Sequence, residues 1–284
     1  MAGPAEVGSS RFPADWLALR EPADAAARAP ELLEPLRAHL TRAGTERLVV
    51  RDLGCGTGSL QRWLAPRLPG PQHWVLYDRD PELLARAAAA APGTAADGAP
   101  VTRETRQDDV TGLRAADLAG TGLVAASALL DLFTAGEVDR LAEACAAAGC
   151  PALLTLTVAG RVELSPADPL DAELAAAFDA HQRRATDGRR LLGPDAAGAT
   201  AEAFRRQGAR VLTRPSPWRL GPSDSALADQ WLRGWVGAAR EQRPDLAGPA
   251  DGYLRRRLAG CAAGALGVVV GHVDLLALPT DRPA

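Results

Sequence analysis

The sequence predicts an α/β protein built on a doubly wound parallel sheet, and three observations carry that prediction. Short apolar runs alternate along most of the chain with stretches whose apolar residues recur at helical spacing, the pattern of strand–helix–strand units. The first clear strand, Arg47-Leu48-Val49-Val50-Arg51-Asp52, runs into a turn with glycine at positions 54, 56 and 58. A second apolar run, His73-Trp74-Val75-Leu76-Tyr77-Asp78, ends like the first in a carboxylate.

Residues 1–10 are small and polar with Gly and Pro, and read as disordered. From Ala14 to Leu40 apolar residues fall at helical spacing (Trp16, Leu17, Leu19, then Leu32, Leu33, Leu36), and Pro22 and Pro30 are expected to break the stretch into short pieces. Strands are expected near 47–53, 73–78, 102–107, 122–130 and 151–158, with helices near 58–67, 81–91, 112–118 and 136–148 between them. The stretch 92–100, Pro-Gly-Thr-Ala-Ala-Asp-Gly-Ala-Pro, is a loop by composition. Helices near 168–186 and 195–207 follow, then a sixth strand near 209–214 and a last near 267–277 that ends at Pro279.

The glycine turn has a physical rationale. A chain that reverses from strand to helix with a ligand against its backbone must shed Cβ atoms there. The spacing is GxGxG, not the GxGxxG that seats a pyrophosphate on a helix N-terminus. Asp78, at the end of the second strand, is placed to accept both ribose hydroxyls of an adenosine ligand, whichever cofactor carries it. Asp80, before Pro81, is the better helix cap.

With Asp52 two positions ahead of Gly54, residues 47–60 resemble motif I of the class I S-adenosylmethionine-dependent methyltransferases. Residues 107–111, Gln-Asp-Asp-Val-Thr, add a third piece. The resemblance covers residues 45–160, and the rest follows only by expected topology. It implies S-adenosyl-L-methionine as cofactor, held by Asp52, Gly54, Cys55, Gly56, Gly58, Asp78, Asp109 and Val110. In that set Asp78 takes the ribose, Asp109 the adenine amino group, and Val110 the ring face; Asp108 is the neighbouring alternative to Asp109. The implied fold is a doubly wound seven-stranded, mostly parallel sheet with an antiparallel last strand. An N-terminal helical prelude covers the cofactor. Arg20, Asp24 and Arg28, four apart, share a face there. An arginine among them is a candidate partner for the methionyl carboxylate, against a solvated salt-bridging face as the alternative.

Where the family joins its last two strands by a short hairpin, this chain has about fifty residues. Four segments result: tail and helical cap (1–44), cofactor-binding core (45–217), helical lid insertion (218–262), and final strand with tail (263–284). The connection leaving the sixth strand starts at the ligand end of the sheet. The insertion is therefore expected to wall the substrate pocket, with Trp218, Trp231 and Trp235 as candidate substrate contacts or as pins to the core. Arg255-Arg256-Arg257 point in different directions on a helix and read as solvated surface.

Methyl transfer needs mainly alignment, worth up to ~7–11 kcal/mol, and a base adds roughly 10²–10⁴-fold where the nucleophile carries a proton. No fixed constellation marks it. Candidate bases are Asp131, after the fourth strand, and His181, with Arg183 and Arg184 beside it. Arg161 is a further candidate for the pocket, while His73 and His272 read as structural.

Composition narrows the rest. The chain has no lysine, which excludes a Schiff base or a P-loop lysine, and no asparagine, which excludes the Asn-Pro-Pro-Tyr motif of amino-methylating enzymes. The four cysteines lack CxxC spacing, so no metal site or disulfide framework is indicated and all four read as reduced and buried. A net charge of −3 gives no reason to expect a nucleic-acid partner. No signal or membrane-spanning stretch is visible, so a cytoplasmic monomer or homodimer acting on a small-molecule substrate is expected. The competing readings are a non-catalytic methyltransferase-fold binding protein, an NAD-dependent oxidoreductase, disfavoured by the glycine spacing, and an RNA or protein methyltransferase.

Overall fold

The computed structural model describes residues 12–90, 93–186 and 188–280; the expected disordered segment 1–10 lies outside them. Two helices, α1 (Ala14–Ala27) and α2 (Leu33–Ala43), precede the sheet. The core then runs β1 (Leu48–Leu53), α3 (Ser59–Leu64), β2 (Gln72–Asp78), α4 (Pro81–Ala89), β3 (Val101–Gln107), β4 (Leu123–Ser127), α5 (Ala135–Ala148) and β5 (Ala152–Ser165). After α6 (Asp171–Gln182), a small hairpin of β6 (Ala185–Thr186) and β7 (Arg189–Arg190) leads to α7 (Ala196–Arg206) and β8 (Arg210–Pro215). The chain closes with β9 (Trp218–Leu220), α8 (Ser225–Gln242), α9 (Ala247–Ala262) and β10 (Gly267–Leu278).

The main sheet has the order β3-β2-β1-β4-β5-β10-β8. Strands β1 to β5 are mutually parallel. β10 slots between β5 and β8, antiparallel to both. The expected doubly wound sheet with an antiparallel last strand is therefore present. It gains one more strand, because β9 also pairs with β10. Successive residues of β2 go to opposite faces, as the pleat requires. Val75 and Tyr77 pack with Leu53, Leu154, Phe133 and Phe204 on one side, and Trp74 and Leu76 with Leu36, Val50 and Trp63 on the other. A third cluster joins α1 to α6, α8 and α9 through Trp16, Leu174, Trp235 and Tyr253.

Several local expectations are corrected. Pro22 does not break the N-terminal helix but lies inside α1. Contacts on both sides of it, Trp16 in the third cluster and Asp24 against Trp218, hold the helix despite a local cost of about 3 kcal/mol. The helix expected near 112–118 is two separate 3₁₀ turns, at Val110–Gly112 and Ala115–Leu118. The fourth strand stops at Ser127, because Ala128 takes a left-handed φ of 51°. The fifth runs on to Ser165, since β10 is long enough to pair with its whole length.

The insertion 218–262 opens with a strand and is anchored by its arginines. Asp171, in the first turn of α6, accepts hydrogen bonds from Tyr253 Oη (2.6 Å) and from Arg257 Nη2 (2.5 and 2.7 Å). Arg257 also donates to the Pro166 carbonyl, and Arg256 pairs with Asp168 at 2.7 Å. Two of the three consecutive arginines thus fasten α9 to α6, contrary to the solvated reading. Buried Arg257 is accommodated because carboxylate and carbonyl both meet it. No described helix is long and apolar enough to cross a membrane.

Candidate functional site

The carboxyl ends of β1, β2 and β4 converge where the strand order reverses between β1 and β4, the place where open α/β sheets bind ligands. The turn out of β1 is built on Gly54, Gly56 and Gly58 at φ 64°, 55° and 83°, a region that side chains disfavour. Space for a Cβ is tight there as well. One on Gly54 would sit 2.8 Å from Leu129 Cδ1, and one on Gly56 3.1 Å from Leu17 Cδ1. The Gly56 N–H donates to Asp78 Oδ2 at 2.8 Å, and the Asp80 N–H to Asp78 Oδ1 at 3.0 Å. Asp78 therefore latches the glycine turn to the end of β2. Asp80 caps α4 as expected, accepting from the Glu82 N–H.

A cavity of ≈ 360 Å³ opens over this turn. Its floor is Asp52 with the Gly54 to Thr57 turn, and one wall is Asp78, Asp80, Leu83, Asp108 and Val110. The opposite wall is Ser127, Ala128, Leu129 and Leu132, while Leu17, Arg20 and Asp24 of α1 form the roof. Three contacts hold that roof. Glu21 takes a two-pronged ion pair from Arg62 at 2.7 and 2.6 Å. Asp24 accepts from Trp218 Nε1 at 2.9 Å and pairs with Arg20, whose guanidinium stacks over the Trp218 ring. Just beyond α1, the Ala29 N–H donates to buried Asp274 of β10 at 2.8 Å.

Two buried ionisable groups have hydrogen-bonding atoms without partners among the described residues: Asp52, which lines the cavity, and Arg28, at the end of α1, which does not. Asp52 is 1% exposed and neither carboxylate oxygen has a hydrogen-bond partner among the described residues. Burial pushes its pKa up to about 7, against a smaller downward pull from Arg28. Arg28, 2% exposed, donates from Nη2 to Ser127 Oγ (3.1 Å) and Ser59 Oγ (3.4 Å), while its Nε and Nη1 meet no acceptor. Burial lowers its pKa. Leaving buried polar groups this way is costly.

Of the residues expected to hold a cofactor, Asp52, Gly54, Cys55, Gly56, Asp78 and Val110 line the cavity. Gly58 lies at the N-cap of α3. Asp108 and Asp109 take different places. Asp109 caps the following turn, accepting from Thr111 N–H (3.0 Å) and Oγ (2.8 Å), and Asp108 lines the cavity instead. Asp131 does not itself line the cavity, although its chain neighbours Leu129 and Leu132 do; its Oδ1 has no partner among the described residues and burial raises its pKa.

Other candidates lie elsewhere. His181 packs between Glu241 Oε2 (3.1 Å) and Arg184, with burial lowering its pKa, and it takes no part in the cavity lining. Arg161 is an exposed residue of the lengthened β5 paired with Glu163. His272 is buried against Trp218, its pKa pushed down to about 3 by desolvation. Nor does any residue of the insertion line the cavity, so the expected wall is supplied by α1. Trp231 and Trp235 stack on each other at 5.3 Å, and Trp235 is buried near Tyr253. Trp218 supports Asp24 and Arg20 from behind. Sequence reasoning missed the strained Ala128 in the wall, for which no glycine gave a signal.

No family model matches this chain, and no curated protein matches it. Among solved structures, it is similar to an S-adenosylmethionine-dependent methyltransferase from Geobacter sulfurreducens in complex with S-adenosyl-L-homocysteine (19% identity, 96% of this chain and 100% of that one, TM-score 0.44). It is also similar to a cyclopropane-fatty-acyl-phospholipid synthase-like protein from Lactobacillus casei (14%, 91% and 99%, 0.47). A third is the magnesium protoporphyrin IX methyltransferase of Synechocystis (15%, 74% and 84%, 0.40).

The state of Asp52 has a measurable consequence. The folded protein keeps its proton up to about pH 7, while an unfolded chain releases it near pH 4, so folding loses stability as pH climbs through that window and levels off above it. Asp52→Asn removes this dependence. In urea titrations the variant is expected to match the parent near pH 4 and to exceed it at pH 8 by on the order of 2–4 kcal/mol. Equal differences at both pH values would contradict a buried neutral acid.

Proposed function

We propose that the chain is an S-adenosylmethionine-dependent methyltransferase acting on a small-molecule acceptor. The observation that carries this reading is the glycine turn opening onto a cavity lined by Asp78 and by Asp52, whose buried carboxyl has no hydrogen-bond partner among the described residues. The groups present suit the parts of that cofactor. Asp78 would receive the ribose hydroxyls, Val110 the adenine face with Asp108 at its edge, and the Gly54 to Gly56 backbone the chain between them. Arg28 offers its free Nε and Nη1 to the methionyl carboxylate.

The cofactor supplies a methyl group already activated by its sulfonium. What remains for the protein is alignment and exclusion of water. α1 closes over the turn, and Leu17, Leu129 and Leu132 give the cavity an apolar lining. Asp131 is our candidate base: burial makes its carboxylate more basic than usual, as proton removal from an acceptor requires. The lining carries aspartates at 24, 52, 78, 80 and 108 against arginines at 20 and 79, a poor surface for a polyanion.

Calorimetric titration with S-adenosylhomocysteine tests the reading, with NAD as control. Micromolar binding that is lost in Asp78→Ala is expected, with none for NAD; the reverse preference would contradict it. Once an acceptor is found, Asp131→Asn should lower kcat about a hundredfold at unchanged S-adenosylhomocysteine affinity. An unaltered kcat would remove Asp131 from the chemistry.

A further inference from the structure

Asp52 poses a problem that the fold alone does not solve. It is buried, and neither oxygen receives a hydrogen bond from a described residue. The charges facing it come from several elements: Arg28 at the end of α1, Arg62 from α3, and Asp78 from β2, with the thiol of Cys55 close by in the turn. Arg28 is itself faced by Asp24 of α1 and Asp274 of β10, and its Nη2 is engaged by Ser59 and Ser127. No cation is therefore dedicated to Asp52. A carboxyl in such surroundings keeps its proton until a positive charge arrives.

We propose that Asp52 exchanges its proton for the cationic group of the ligand: entry of an ammonium- or sulfonium-bearing molecule into the cavity converts Asp52 from carboxylic acid to carboxylate and releases one proton to solvent. The inference rests on the cofactor reading above. The exchange balances, with one positive charge in, one proton out, and the electron pair of the broken O–H bond left on the carboxylate. The net charge of the buried site stays constant, so the ligand's cation is not desolvated beside an unpaired acid. It follows that ligand and proton compete. Below neutrality the ligand must displace a bound proton, and above it the carboxylate is already free.

Titration calorimetry in buffers of different ionisation enthalpy counts the protons directly. Three probes separate the cation sources. S-adenosylhomocysteine carries an ammonium, S-adenosylmethionine an ammonium and a sulfonium, and 5′-methylthioadenosine neither. At pH 6 close to one proton is expected to leave per S-adenosylhomocysteine or S-adenosylmethionine bound, falling toward zero at pH 8. Affinity should rise about fivefold from pH 6 to 7 and then level. Release with both ligands assigns the cation to the ammonium, and release with S-adenosylmethionine alone assigns it to the sulfonium. 5′-Methylthioadenosine should release none, and Asp52→Asn should bind without proton release at any pH. Should that variant fail to fold, the carboxyl ¹³C shift of Asp52 in the parent protein, moving from acid to carboxylate on ligand addition at pH 6, reports the same event.

Binding with no proton release at pH 6, equal release by 5′-methylthioadenosine, or undiminished release in Asp52→Asn would each overturn the proposal. Absence of binding by all three probes would take the cofactor reading and this inference together.

Discussion

The ligand end of this protein depends on one reversal of the chain, from β1 into α3 through three left-handed glycines. Side chains at Gly54 or Gly56 would be strained at their left-handed φ and would crowd the tips of Leu129 and Leu17. Nor does it stand alone, since Asp78 accepts the Gly56 N–H and so ties the turn to the neighbouring strand. That latch sets where the backbone is bare, and hence where a ligand can approach closely. It also fixes the place of Asp52, the residue of β1 two positions before the turn begins.

The second constraint is the roof. α1 lies across the glycine turn because its polar residues find partners on three different elements: Glu21 on α3, Asp24 on β9, and the Ala29 amide on β10. Asp274 is central, since it also accepts the amide of Leu156, a residue at a left-handed φ of 55°. One buried carboxylate thus holds both the end of the cap and a strained point in β5. The insertion has a supporting part, because Trp218 backs Arg20 and Asp24 while α8 and α9 bury their own aromatic core.

Much of this was legible in the residues, and the failures have physical causes. Strand–helix alternation is local and periodic, so the parallel core could be read directly. The glycine turn and Asp78 were legible because only a narrow set of residues satisfies a bare, left-handed reversal. Which of Asp108 and Asp109 faces the cavity was not, as two adjacent carboxylates differ only in which one the next turn captures. The tryptophans illustrate the opposite difficulty. Spacing placed Trp231 and Trp235 on one helix face correctly, but whether that face meets a ligand or a core is a tertiary matter. Arg28 and Arg257 share the same lesson. Both are arginines in sequences that suit a solvated surface, and both are buried by partners more than thirty positions away. Long-range charge pairing leaves no periodic trace.

Whether the cavity under α1 is a site for S-adenosylmethionine is tested most directly by a crystal structure of the complex with S-adenosylhomocysteine. The ribose hydroxyls are expected on Asp78, the adenine against Val110, and the carboxylate of the amino-acid end on Arg28. A ligand seated elsewhere, or one in the cavity whose ribose avoids Asp78 while Arg28 keeps its free nitrogens, would contradict it.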